Sequence, residues 1–385
     1  MNTRLRQTGT RLIQPRTLLS TLFRRFAGGL CLALAIASSS ATPPDSGAAQ
    51  PPSDGRDKGK VASGDRSSAG GSRKEKIAQL ARDLHDKGWI VYSAKTEAGD
   101  WDLFLMRPDG SDRRRITSTP GFNETGPRFS PDGTRLLYYR QPKSERVDNN
   151  SYGTFDLVIA NADGTHPEVL GNSYPWASWG PDGRKIACLT LKGIQIVDVA
   201  TRKVVQQFPR KTIAIQLVWS PDGKSFIGTA NGLGPFWNIG VLNPVSGELH
   251  AVTETERYNC TPDWCSDSRH IVYARGIIGG QPGHAELWVT SVDGKERRRI
   301  YAEAGRHIYG ACASPDGKYA LFTRSVEDLD SVVGTEMAII AWPAATNSDT
   351  SFGNFHQAVR VDLGPGYEPH WTRFNVVSAT QGRQP

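Results

Sequence analysis

Short apolar runs separated by turn residues fill the chain from residue 89 onward, and this pattern predicts β-strands throughout. The runs at 89–92, 103–106 and 136–139 are examples, and turn sequences such as Pro-Asp-Gly at 108–110 and Ala-Asp-Gly at 162–164 recur between such runs. Because Pro, Asp and Gly favour reversals of the chain, these runs are expected to form antiparallel hairpins. The strands group into units of four, A to D, with tight A–B and C–D hairpins.

One motif returns at intervals of about 40–60 residues, a spacing typical of propeller blades. It reads Phe-Ser-Pro-Asp-Gly at 129–133, and copies or looser variants begin at residues 179, 219, 264 and 313. We interpret the aromatic as a side chain that fills the space between blades and the Pro-Asp-Gly as the A–B turn. The residues assigned to this structural repeat are Phe129, Asp132, Gly133, Trp179, Asp182, Gly183, Trp219, Asp222, Gly223, Trp264, Asp316, Gly317 and Trp371.

The two ends of the strand-rich region complement each other. The first unit has strands B, C and D but no A, and the last, at Trp371, has A but no B. The sequence therefore predicts an all-β fold, a six-bladed β-propeller of four-stranded antiparallel blades. Pairing of the N-terminal strands with the C-terminal strand closes the ring and protects sheet edges that an open array would expose.

The first 88 of the 385 residues have a different composition. Arg24 and Arg25 precede an apolar run at 30–37 and small residues at 39–41, as in a cleaved export signal. A Pro/Gly/Ser-rich stretch follows, and then a capping box that opens an amphipathic helix. The predicted segments are a signal peptide (1–41), a disordered linker (42–71), a helix (72–88), the propeller (89–375) and a flexible tail (376–385).

Charge narrows the class of partner. The net charge is +7, and residues 1–41 carry six Arg and no acidic residue, so the chain after cleavage is nearly neutral. A nearly neutral chain offers no electrostatic attraction for nucleic acid. We expect export by the general or the twin-arginine route, a periplasmic or secreted location and no permanent membrane span in the mature chain. The alternative for the N-terminus is an anchor that is not cleaved.

The Pro-Asp-Gly turns after Trp-Ser and the pattern Leu-Trp-Val-x-x-x-Asp-Gly at 287–294 resemble the repeats of TolB-type six-bladed propellers. The resemblance covers about residues 88–375. It implies a monomeric, periplasmic binding scaffold that contacts a protein or polymer of the cell envelope and needs no cofactor. TolB proteins carry an α/β domain ahead of the propeller, whereas this chain has only the linker and one helix there.

Loop lengths predict where a ligand binds. Long insertions at 141–153, 274–285 and 324–335 fall on the face of the B–C and D–A loops, opposite the tight turns. Residues a few places before each aromatic anchor are expected to line the mouth of the channel on that face. These are Asn123, Glu124, Tyr174, Trp176, Gln216, Asn259, His307, Tyr309, Tyr367 and Glu368. A structural role, plugging or solvating the axis, is the alternative.

Enzymatic functions find little support. The chain has neither a Gly-x-Ser-x-Gly elbow nor a His-Glu-x-x-His motif, and we predict no catalytic residue. Some TolB-like propellers resemble oligogalacturonate lyases, in which His and carboxylate ligands hold a metal. His284, His307 and His370 are the histidines that such a channel metal would need here. A carbohydrate-active propeller with a channel metal is therefore the alternative function.

Overall fold

The computed structural model describes the propeller region and the helix before it. The described residues are 72–147, 155–173, 176–190, 192–208, 213–253, 257–276, 286–303, 306–325, 334–341 and 359–376. The predicted signal peptide, linker and nearly all of the tail lie outside them, as do Tyr174 and His284. Over these described ranges, no helix is both long and apolar enough to cross a membrane.

Three four-stranded sheets form the first half of the ring. Blade 1 has the spatial order β24-β1-β2-β3, blade 2 comprises β4–β7, and blade 3 comprises β8–β11. The strands are β1 (Trp89–Lys95), β2 (Trp101–Met106), β3 (Arg114–Arg115), β4 (Phe122–Phe129), β5 (Arg135–Pro142), β6 (Phe155–Asn161), β7 (Glu168–Ser173), β8 (Ser178–Trp179), β9 (Lys185–Thr190), β10 (Gly193–Asp198) and β11 (Val204–Phe208).

Three more four-stranded sheets complete the ring. Blade 4 comprises β12–β15, blade 5 comprises β16–β19 and blade 6 comprises β20–β23. The strands are β12 (Ile213–Trp219), β13 (Phe226–Ala230), β14 (Asn238–Leu242), β15 (Leu249–Ala251), β16 (Asn259–Trp264), β17 (His270–Arg275), β18 (Glu286–Ser291), β19 (Arg297–Ala302), β20 (His307–Ala313), β21 (Tyr319–Ser325), β22 (Glu336–Ala341), β23 (Arg360–Pro365) and β24 (Tyr367–Thr372). The predicted six-bladed propeller is confirmed.

The ring closes as predicted. Strand β24, the last of the described chain, pairs antiparallel with β1, with Ile90 opposite Trp371 and Trp89 opposite Thr372. Blade 1 is thus assembled from both ends of the propeller, and sequential blades contact one another all the way round. Because each blade touches only its neighbours, the ring has no exposed first or last sheet.

The hydrophobic core of the described residues has one buried cluster at each interface between blades and a seventh that joins blades 1, 5 and 6. Phe129 lies in the cluster between blades 1 and 2, and Trp179 in the one between blades 2 and 3. Trp264 lies between blades 4 and 5, whereas Trp219, between blades 3 and 4, is only partly buried. Burial of one large aromatic at each junction removes much apolar area from water and fixes the spacing of the blades.

The repeated turns have a common hydrogen-bond pattern. The carboxylate of Asp222 accepts hydrogen bonds from the Ser220 hydroxyl at 2.7 Å and from the Lys224 amide at 3.1 Å. Asp132 and Asp316 repeat this arrangement in blades 2 and 6. The Gly that follows each Asp has a positive φ, 77° at Gly223, which a side chain would strain. These Asp residues therefore stabilise the A–B turns.

Helix α1 (Arg73–Leu84) packs across the closure. Its N-cap, Ser72, forms the predicted capping box with Glu75. Leu80 and Leu84 are buried in the cluster between blades 6 and 1, beside Trp371. The helix therefore covers the seam at which the two ends of the propeller meet.

Candidate binding site in the central channel

A β-bulge recurs in the first strand of the blades, three residues before the aromatic anchor or its equivalent. The residue at this position has a left-handed backbone, and the pairing with the next strand shifts register around it in β4, β12, β16, β20 and β24. The six residues are Gly126 (φ 62°), Trp176 (71°), Gln216 (60°), Thr261 (49°), Gly310 (57°) and Glu368 (47°). Four of them are not glycine, and such strained backbone is concentrated at functional sites.

Five of these six residues, all but Gly126, line a cavity of about 390 Å³ at the ring axis. Its wall is built from the first strands of all six blades, and its rim includes Ser-Pro residues of the A–B turns and Thr372–Phe374. The volume lies within the range of about 300–1,000 Å³ that is common for ligand pockets. The first strands are the innermost in each blade, so every blade contributes side chains to one space.

Two opposite charges lie in the wall without an ion pair. Arg128 donates to its neighbour's carbonyl, that of Pro127, at 3.1 Å, and Asp263 accepts from the Trp264 amide at 2.9 Å. Both side chains are partly buried, and no ion pair within 4.0 Å links them to another described residue. Burial raises the pKa of Asp263 to about 6, although Arg128 opposes this shift. Burying a charge without a partner costs free energy. This part of the wall is therefore a candidate contact for a charged ligand.

His370 and Glu368 come from β24. The His370 Nδ1 accepts the Phe129 amide hydrogen at 3.1 Å, so the neutral ring carries its proton on Nε2. Burial, helped by Arg128, lowers the pKa of His370 to about 3, so His370 is neutral at physiological pH. The Glu368 carboxylate accepts the Trp176 indole N–H at 3.0 Å, and burial raises its pKa. Arg128 is therefore the positive group inside the wall, with Arg373 at the rim.

Three of the residues predicted for the channel mouth line the cavity: Trp176, Gln216 and Glu368. Gln216 accepts the Thr261 amide hydrogen at 2.6 Å and so ties blade 4 to blade 5. The residues that do not line it are Asn123, Glu124, Asn259, His307, Tyr309 and Tyr367.

Most of those six residues are buried beyond the wall. Glu124 accepts a hydrogen bond from Thr119 at 2.7 Å, and Asn259 donates to the Arg257 carbonyl at 2.9 Å. Tyr309 and Tyr367 pack together with ring centroids 5.9 Å apart, and His307 stacks on Tyr309 at 4.8 Å. These are packing and hydrogen-bonding contacts within the protein.

The sequence did not single out Arg128 and Asp263, which immediately precede their aromatic anchors. The bulge adds a residue to the strand and brings this position onto the channel wall. A signal was present: a charged residue beside a buried anchor aromatic is unusual in a strand interior. His370 occupies the same position in blade 1, and the sequence offers it only as a metal ligand of the alternative function.

The metal-site alternative depends on histidines that the described structure does not bring together. His370 lines the cavity and His307 does not, while His284 lies outside the described residues. Among the described residues, no group of three or more His, Cys, Asp or Glu is arranged to hold a metal ion. The described residues therefore do not supply that ligand set.

The raised pKa of Asp263 gives a testable pH dependence. Because its folded pKa of about 6 exceeds the usual 3.8, its ionisation opposes folding, and stability is lost as pH rises between those values. We expect Asp263→Asn to match the native protein near pH 4. At pH 7 it should be more stable by about 1–2 kcal/mol, which allows for partial exposure. Urea unfolding of both proteins across this pH range measures the difference, and a difference that does not change with pH would contradict it.

Comparisons with known proteins agree with this architecture. The chain is 24% identical over 220 residues to the uncharacterized peptidase YuxL of Bacillus subtilis (strain 168), covering 54% of this chain and 30% of that protein. It is 37% identical over 76 residues to the TolB homolog of Chlorobium luteolum, covering 19% and 16%. The chain thus spans less than a third of the length of either relative. No protein-family model matches it.

The crystal structure of TolB from Acinetobacter baumannii superimposes with a TM-score of 0.55 at 17% identity, covering 76% of this chain and 69% of that one. The closed ring of six four-stranded blades defines the class as a six-bladed β-propeller. More narrowly, its fold is TolB-like.

Proposed function

We propose that this protein is a non-catalytic binding scaffold of the cell envelope, and that its partner, a protein or polymer, inserts a segment into the central channel. The observation that carries this proposal is the cavity of about 390 Å³ walled by the first strands of all six blades. Rigid strands hold its side chains in place, as a preorganised site requires. Export to the periplasm or beyond belongs to the same proposal.

The chemistry of the wall favours binding over catalysis. The Nδ1 atom of His370 is occupied by a backbone amide, and Glu368 is held by Trp176. Trp176, Trp179 and Trp219 offer apolar and aromatic surface to a ligand, and Arg128 offers charge. The long loops at 141–153, 274–285 and 324–335 belong to the face opposite the A–B turns that form the rim, and none of their described residues lines the cavity. A contribution from these loops to partner binding stays a separate prediction.

A pull-down tests this function. The bait is the chain from Thr42, mixed with an envelope extract, and the blocking variant is Arg128→Trp, whose bulky ring narrows the cavity and removes the cation from its wall. The matched control is Arg202→Trp, on the exposed outer face. We expect the native bait and the control to retain the same partner in unaltered form and the blocking variant to lose at least about 90% of it, a tenfold weakening.

Thermal melting of all three baits must agree within a few degrees for the comparison to hold. Equal recovery by the blocking variant would place the binding surface outside the channel and contradict the proposal. Recovery of a cleaved partner would contradict the non-catalytic part of it.

A further inference from the structure

The placement of Arg128 and Asp263 around the ring narrows the chemistry of the ligand. Arg128 is in blade 2 and Asp263 is in blade 5, three blades apart in a ring of six, so they face each other across the axis. Each immediately precedes the aromatic anchor of its strand and therefore lies at the same depth. The cavity thus has a positive side and a negative side.

Neither charge forms an ion pair within 4.0 Å with another residue that the structure describes. The guanidinium of Arg128 has five N–H donors, and within the described ranges of the chain it donates one hydrogen bond, to the Pro127 carbonyl. Asp263 accepts only the Trp264 amide among the described residues. A bound ligand that supplied the missing opposite charges would offset the cost of burying both groups.

The remaining wall residues disfavour ligands of a single charge. A dianion that reaches Arg128 also meets the carboxylates of Asp263 and Glu368. A dication that reaches Asp263 meets Arg128. His370 is held neutral by its bond to Phe129 and adds no second cation. A dipolar ligand satisfies both sides of the cavity at once.

We propose that the channel binds a short zwitterionic peptide, its carboxylate on Arg128 and its ammonium group on Asp263. This deepens the function proposed above and rests on the channel being the binding site. The apolar and aromatic surface of Trp176, Trp179 and Val218 lies between the charged groups and suits small side chains. The peptide is held by side chains from opposite blades, which the rigid ring keeps at a fixed separation.

Calorimetric titration with three small probes tests the inference: alanyl-alanine, its N-acetyl derivative and its C-terminal amide. The first has both charges, the second only the carboxylate and the third only the ammonium group. We expect alanyl-alanine to bind about 10- to 100-fold more tightly than either derivative, the range for one charge-assisted hydrogen-bonded contact.

Two variants assign the charges, each with Arg202→Met as the surface control. Arg128→Met should bind alanyl-alanine and its amide equally, because the carboxylate contact is lost. Asp263→Asn should bind alanyl-alanine and its N-acetyl derivative equally. Alanyl-alanine binding no tighter than the blocked probes, absence of binding, or unchanged selectivity in both variants would overturn the inference.

The two proposals can fail separately. If the envelope partner depends on the channel in the pull-down but alanyl-alanine does not bind, the scaffold stands and the zwitterion is wrong. If alanyl-alanine binds with the expected selectivity but no partner is recovered, the peptide site stands and the scaffold is wrong.

Discussion

Replacement of Trp371 by alanine is expected to lower the free energy of unfolding by about 3–5 kcal/mol, the range for a fully buried Trp. Trp371 is 4% exposed and packs in the cluster between blades 6 and 1, next to Leu84 of α1. Its indole N–H donates to the Lys87 carbonyl at 2.8 Å, which links β24 to the segment between α1 and β1. The substitution therefore weakens the seam that closes the ring.

Urea denaturation followed by circular dichroism measures this effect. Trp219→Ala is the matched control, because Trp219 holds the equivalent position in blade 4 but is only partly buried and does not join the chain ends. We expect the control to lose less, about 1–3 kcal/mol. Equal losses, or a loss below about 1 kcal/mol for Trp371→Ala, would show that closure does not depend on this anchor.

Arg324→Met is expected to lower the free energy of unfolding by about 1–3 kcal/mol, because it removes a buried cation whose three carboxylate partners are partly buried or exposed. Arg324 is 4% exposed and lies 3.0 Å from Asp362, 3.3 Å from Glu336 and 3.5 Å from Glu303. Arg360 shares two of these acids, so the network joins β21, β22 and β23 with the end of blade 5.

The control is Arg202→Met, which breaks an ion pair with Glu168 that is about half exposed on both sides. Exposed pairs contribute about 0–1 kcal/mol, so this variant should unfold at nearly the native urea concentration. A similar result for Arg324→Met would mean that its neighbours reorganise and the network contributes little.

The fold was predictable because its determinants repeat. The aromatic anchors and Pro-Asp-Gly turns recur at blade spacing, and the unpaired strands at the two ends predict the closure of β24 onto β1. Because these signals are local or periodic, they can be recognised in a single sequence. The resemblance to TolB-type propellers pointed to the same ring.

The site was less predictable because the bulges are not visible in the sequence. In a regular strand, side chains point alternately inward and outward. An extra residue near Gln216 or Glu368 shifts this alternation by one position for the rest of the strand. Arg128 and Asp263 thereby line the channel. Arg324, predicted to begin a long loop, lies instead within β21, where three carboxylates offset the cost of burying its charge.

Site-specific photo-crosslinking tests most directly the claim that the channel is the binding site. A photoreactive residue is placed at Val218, on the cavity wall, or at Val245, which is 94% exposed on the turn between β14 and β15. Each protein is then irradiated in an envelope extract. We expect a discrete adduct from position 218, suppressed by the Arg128→Trp block, and none from position 245. An adduct from 245 alone would contradict the channel site and place binding on the outer surface of the ring.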